Sequence, residues 1–299
     1  MGHQAFVSEP VIQKQWSYRF GYDPGLILAS YKIMALFMLG YADQAARASH
    51  QMRLEAVGHY HAPTVALCRF FTTIWPELLF GDLEACERHS AELVVYCIER
   101  KVEQFRLYSV VTETCARAER DPTPERIEAL CAARDAHHRS GARVLDSMIL
   151  CCLIEALLAV GDVRRAEAAL QEADQLVELS GEHLLLPDLR RLEGQIALKQ
   201  REPDRRRAEI CFLKSVDIAR GQGARLLELR AATDLARLRR DTGSPTDLRA
   251  PLDLILAAVE CGRATRDIHK ARALLAEIGA SNSVVFGESP NGDSREVRG

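Results

Sequence analysis

Aromatic residues make up only 6% of the 299-residue chain, and its 18 glycines and 11 prolines together fall below a tenth of it. So little Gly and Pro excludes collagen-like, low-complexity and wholly disordered chains. Neither sign of charge dominates: the formal net charge is −3, so no global field selects nucleic acid or any other polyanion as a partner. Long apolar runs are missing too. "LILASYKIMALFMLG" and "SMILCCLIEALLAVG" are the longest, and with Lys or Glu inside they fall short of the roughly 20 apolar residues that span a bilayer. The first 20 residues lack a basic stretch followed by an apolar one, so no secretory signal is read and a cytoplasmic protein is expected. The nine cysteines include no C-x-x-C pair, and the adjacent Cys151 and Cys152 leave a helix in different directions. Neither a disulfide framework nor a metal site is expected; the cysteines read as small buried apolar residues.

What the chain does have is a period. Turn-forming segments are anchored on Gly40, Gly81, Pro122, Gly161, Pro203 and Gly243, in steps of 41, 41, 39, 42 and 40 residues. Five and nine residues past each anchor stand small or apolar residues, Ala45 and Ser49 in the first unit and Ala208 and Phe212 in the fifth, which is helical spacing on one face. A second series, Gly58, Arg100, Gly141, Gly181 and Gly223, interleaves with the first and suits helix C-caps. Each unit therefore holds two helices, and no segment alternates as a strand does. Thirteen helices are predicted, at 24–39, 42–57, 61–80, 82–99, 103–119, 123–140, 143–160, 162–180, 183–200, 205–221, 224–241, 246–260 and 264–279. Two-helix units that cannot bury their own faces stack on one another. The expected fold is all-α: an α-solenoid of about six TPR-like helix-turn-helix repeats, period near 41, wound as a right-handed superhelix. Residues 1–20 read as an N-terminal extension, 21–280 as the repeat domain, and 281–299 as a disordered tail rich in Gly, Ser and Asn.

The wording of the units carries a resemblance. "FGYDPGLILASYKIMALFMLGYADQAARAS", "GDLEACERHSAELVVYCIERK", "GDVRRAEAALQEADQLVELSGEHLLLPDLRRLEGQIAL" and "LELRAATDLARL" are similar to the C-terminal helical-repeat region of large bacterial signalling ATPases. In that family an adenylate/guanylate cyclase or winged-helix domain precedes a STAND-type AAA ATPase, and a TPR-like array similar to that of MalT-like regulators follows. The resemblance covers residues 19–280. It implies a protein-binding regulatory module in signal transduction, or the small-molecule or peptide sensor of a MalT-like transcriptional or cyclase regulator, or a remnant of such a gene. No G-x-x-x-x-G-K-[ST] loop occurs, nor any room for a cyclase domain within the repeats, so no catalytic residue is carried over and no enzyme activity or cofactor is expected. The segment "LAAVECGRATRD" departs from the aromatic turn that the family often carries near its last repeat.

Among the residues themselves, His59 and His61 read as polar loop surface, His137 and His138 as favourable charge at a helix C-terminus, and the pairs Glu84/Glu87 and Glu167/Glu172 as solvated faces. Charge is unevenly spread. Residues 82–180 hold 12 basic against 19 acidic side chains, and residues 182–240 hold 14 against 9. Arg190, Arg191, Arg225, Arg230, Arg237, Arg239 and Arg240 fall on the first helices of two successive repeats, which in a solenoid line the concave groove. In that register Asp188, Arg191 and Gln195 align with Arg230, Thr233 and Arg237 on one face. The expectation is an open groove for an acidic protein or peptide, an anionic small ligand or the acidic half of a second copy, its arginines exposed and contributing little to folding. Nucleic acid is not expected, because few aromatics interleave to stack bases.

Overall fold

A computed structural model describes Ser17, Arg19 and residues 21–57, 61–243, 248–259 and 265–286. Of these residues 83% are helical and none lies in a strand. The helices are α1 (Pro24–Met38), α2 (Ala42–Ala56), α3 (Ala62–Phe80), α4 (Leu83–Arg100), α5 (Glu103–Arg120), α6 (Pro124–Arg139), α7 (Asp146–Ala159), α8 (Val163–Ser180), α9 (Leu186–Lys199), α10 (Arg205–Gln222), α11 (Arg225–Asp241), α12 (Arg249–Ala257) and α13 (Arg266–Phe286). The landmarks Gly58 and His59 lie outside the described residues, as do Cys261 and most of the N-terminal extension.

The turns follow from two residue choices. Gly40, Gly81, Gly161 and Gly243 close helices with φ between 67° and 85°, a region costly for any side chain with a Cβ. Asp82 and Asp162 follow two of these glycines and accept the backbone N–H of Ala85 and Arg165, so the dipeptide Gly-Asp ends one helix and starts the next. Where proline replaces glycine the cap alone remains: Thr123 accepts from the Arg126 N–H and Asp204 from the Arg207 N–H. Four helices depart from the spacing, and of these α12 is short at both ends, Arg249–Ala257 against the expected 246–260. α7 begins at Asp146, because Leu145 sits at φ 85° and cannot be helical. α9 begins at Leu186, where Pro187 occupies the first turn that tolerates it. α13 continues to Phe286, which corrects the irregular tail expected from residue 281 at its first six residues; residues 287–299 lie outside the described set.

Consecutive helices pack as pairs, and the odd-numbered helices also pack on one another in order, α5 on α7, α7 on α9, α9 on α11 and α11 on α13. Each therefore buries two faces, as α7 shows: Ile149, Leu150, Ile154 and Leu157 are all at most 1% exposed. The row turns back on itself, since α11 touches α1 and bonds the Leu79 carbonyl at the end of α3, and the start of α13 reaches the end of α5. Gly194 of α9 lets α10 approach: a Cβ there would stand 2.5 Å from the Phe212 ring and 3.1 Å from the Ala208 carbonyl oxygen. Gly194→Ala is expected to cost about 1–3 kcal/mol through overpacking. A urea midpoint within error of the parent protein would contradict that contact.

Candidate functional site

The six residues of the expected groove do come together, but on one another and on carboxylates from the rest of the chain. Asp188, Arg191 and Gln195 of α9 face Arg230, Thr233 and Arg237 of α11. Arg191 Nε donates to Asp188 Oδ1 (2.6 Å), its Nη1 to Asp234 Oδ2 (3.2 Å) and its Nη2 to Glu155. Arg230 bridges Asp188 (2.9 Å) and Asp267 (2.8 Å), and its Nη2 also donates to the Leu79 carbonyl at the end of α3 (2.9 Å). Gln195 and Arg237 both donate to Asp234, at 2.8 and 3.0 Å. Thr233 is buried and turns its hydroxyl to Leu229 O in its own helix. Arg266 extends the lattice to Glu119 of α5 and approaches Glu155 Oε2 at 3.9 Å.

This corrects the reading of an open arginine stripe. The Arg191 and Arg230 side chains are only 7% and 11% exposed, because α7, α9, α11 and α13 each bring a carboxylate to the same inner face. The other arginines of the stripe are paired as well: Arg190 with Asp174 and Glu193, Arg225 with Glu228, Arg239 with Glu209, Arg240 with Glu277. Burial alone would raise the Asp188 pKa, but Arg191 and Arg230 outweigh it and hold the carboxyl below its ordinary value. Burial likewise opposes charge on Arg191 and Arg230, and their carboxylates reverse that too. Two cavities of about 30 and 20 Å³ remain in the lattice, each with room for about one water and no ligand.

A larger space lies at α3, where the sequence breaks a helix from inside. Pro76 has no N–H for the Thr72 carbonyl and its ring would collide with it. The chain answers with a π-turn at Phe70–Ile74, closed by the Trp75 N–H on Phe70 O. The freed Thr72 carbonyl accepts from Arg53 Nη1 of α2 (3.3 Å). Beside it opens a cleft of about 560 Å³ lined by Arg53, Arg69, Thr72, Thr73, His89 and Glu92, among others. His89 Nδ1 lies 2.9 Å from both oxygens of buried Glu77. A carboxylate can only accept, so Nδ1 is the donor, and Nε2 has no partner among the described residues. The guanidiniums of Arg53 and Arg69 have no carboxylate partner among the described residues, unlike those of the inner lattice; Arg69 instead lies over the Tyr96 ring at 4.4 Å.

The remaining candidates resolve differently from one another. Eight described cysteines are free and seven of them are buried, with Cys151 and Cys152 against the lattice and their thiols raised well above the usual range, Cys151 by burial and Cys152 first by a bond with Cys115. Glu87 and Glu172 are not merely solvated: Glu87 pairs with Arg117 and Arg120, Glu172 with Arg134. His138 and His137 lie in the last turn of α6 as expected, yet their rings do not cap it. His138 Nε2 stands 2.8 Å from Asp146, and His137 is wholly buried. No helix among the described residues is long and apolar enough to cross a membrane. Comparison with known proteins finds no family model, no curated protein and no solved structure that matches the chain.

Proposed function

We propose that the chain is a non-catalytic regulatory module, a TPR-like right-handed solenoid of the kind found in bacterial cyclase-ATPase regulators, that binds an acidic peptide or carboxylate ligand in the cleft beside the π-turn. The observation that carries this reading is the convergence of Arg53, Arg69 and the free edge of His89 on one open cleft, while the inner arginines are saturated by the chain's own carboxylates. Guanidiniums suit carboxylates. Exposed Glu92 on α4 suits a peptide N–H or an amine, and the Thr72 and Thr73 side chains add short polar contacts. The cleft is also tied to the inner lattice. Glu77, which orients His89, stands half a turn before Leu79, whose carbonyl receives Arg230. A ligand that draws on His89 or displaces Arg53 from Thr72 O acts on the same helix that anchors the lattice, which supports a sensing role beside simple docking.

Calorimetric titration with a hexaglutamate peptide, free glutamate and hexaglutamine separates the sources. Saturable binding of hexaglutamate with none of hexaglutamine is expected, and an Arg53→Ala/Arg69→Ala variant should lose at least about tenfold in affinity at unchanged helicity. Binding of glutamate alone would make the ligand a small molecule. Equal binding by parent and variant, or no binding of either anion at about 1 mM, overturns the cleft assignment.

A further inference from the structure

Far from the cleft, α6 ends on His137 and His138, and α7 begins on Asp146. One atom from each of these three residues comes within 4.8 Å of the others. His138 Nε2 is 2.8 Å and His137 Nδ1 3.7 Å from the same carboxylate oxygen, Asp146 Oδ1. Ligands at about 2.0–2.1 Å around a tetrahedral ion stand about 3.3–3.4 Å apart, a value the two separations bracket.

The donors are built into the fold. The His137 and Asp146 side chains are 0% and 2% exposed, and neither ring nitrogen of His137 has a hydrogen-bond partner. A fully buried imidazole with both nitrogens unanswered is an exception that calls for a missing partner, and its Nδ1 already faces Asp146. The Tyr108 ring, 5.3 Å away, forms part of the wall beside it. Two cations lie close. Arg134 is held by Glu172, and Arg143 stands 4.0 Å from Asp146 Oδ2, the other carboxylate oxygen, with its side chain 58% exposed and able to turn to solvent.

We propose that His137 Nδ1, His138 Nε2 and Asp146 Oδ1 bind a divalent transition ion of the zinc class, with water in the fourth position, and that the ion fastens the end of α6 to the start of α7. Two imidazoles and one carboxylate are a borderline-soft set that suits zinc or cobalt rather than magnesium or calcium. The ion gives His137 the partner it lacks and ties down the turn at 140–145.

The test titrates the full chain, stripped with chelator, with Co(II) and separately with Zn(II). One equivalent of Co(II) is expected, with visible bands of a tetrahedral nitrogen/oxygen site and no near-ultraviolet thiolate band. Zn(II) should raise Tm by at least about 2 °C. His138→Ala removes a side chain that is 23% exposed, so this variant should fold, yet it should bind Co(II) at least about tenfold more weakly and lose the Zn(II)-dependent rise in Tm. Asp146→Asn should behave alike. A thiolate band, no saturation by about 1 mM Co(II), or equal binding by parent and His138→Ala overturns the site.

Discussion

Arg230→Ala is expected to destabilise the protein by about 3–5 kcal/mol, the usual consequence of removing one partner from a buried ion pair. The guanidinium joins three parts of the chain at once, Asp188 of α9, Asp267 of α13 and the Leu79 carbonyl of α3. Asp267 is 3% exposed and Arg230 is its one ion-pair partner among the described residues, so truncation strands a carboxylate away from water. Asp188 keeps Arg191 but loses half of its neutralisation. The size of the loss distinguishes a lattice from a surface pair, which would cost about 0–1 kcal/mol. Urea unfolding of Arg230→Ala, Asp267→Asn and the double variant measures it. The double variant should recover part of the loss, because asparagine removes the stranded charge, and the coupling energy should exceed about 1 kcal/mol. Small-angle scattering should show an increased radius of gyration for Arg230→Ala, since the Leu79 bond ties α11 back to α3. A midpoint close to that of the parent would mean that the stripe is solvated after all.

The same residues mark where sequence reading succeeds and stops. Helix periodicity and the Gly and Pro anchors are local signals, and they place thirteen helices within a few residues of those observed, save the end of α13, which runs on to Phe286. Alignment of successive helices even brings Arg191 and Arg230 onto one face. What periodicity does not carry is the sign of what stands opposite. Apart from Asp188, three residues before Arg191 in its own helix, the carboxylate partners of Arg191 and Arg230 lie 36 to 43 residues away, one unit along the chain, and the Leu79 carbonyl lies 151 residues from Arg230. The acidic excess of 82–180 and the basic excess of 182–240 were themselves the clue: Glu119 and Glu155 come from the first segment and meet Arg191 and Arg266 from the rest. The charge that suggested an acidic partner is in large part answered within the same chain. The cleft had a weaker signal in Pro76, a helix breaker in the middle of the segment 61–80. His137 had none, because only the packed fold shows that its ring is both buried and unpartnered.

Glu119 gives the lattice a pH response that opposes the usual behaviour of a paired carboxylate. Burial, then the neighbouring Glu155, raise the Glu119 pKa to about 7, although Arg266 pulls against both. Glu155 is held well below its ordinary value: burial would raise it, but Arg191 and Arg266 outweigh burial, and a hydrogen bond from Glu119 adds to them. One proton on Glu119, donated toward Glu155, thus completes the pair. For Glu119 the folded chain binds the proton more tightly than the unfolded chain, so its contribution is fully present below about 4.5 and is lost as pH rises to about 7. Glu155 acts in the opposite sense and only in acid, where its protonation removes the ion pairs with Arg191 and Arg266. Between about pH 5 and 7 stability should therefore fall by about 2–3 kcal/mol on account of Glu119. Glu119→Gln keeps the shape and the neutral hydrogen-bond donor but cannot ionise. Urea midpoints measured from pH 5 to 8 should decline for the parent and stay nearly level for Glu119→Gln, with the variant the more stable of the two at pH 8. Parallel curves for the two proteins would show that Glu119 ionises at its ordinary pH and that Arg266 alone neutralises both carboxylates.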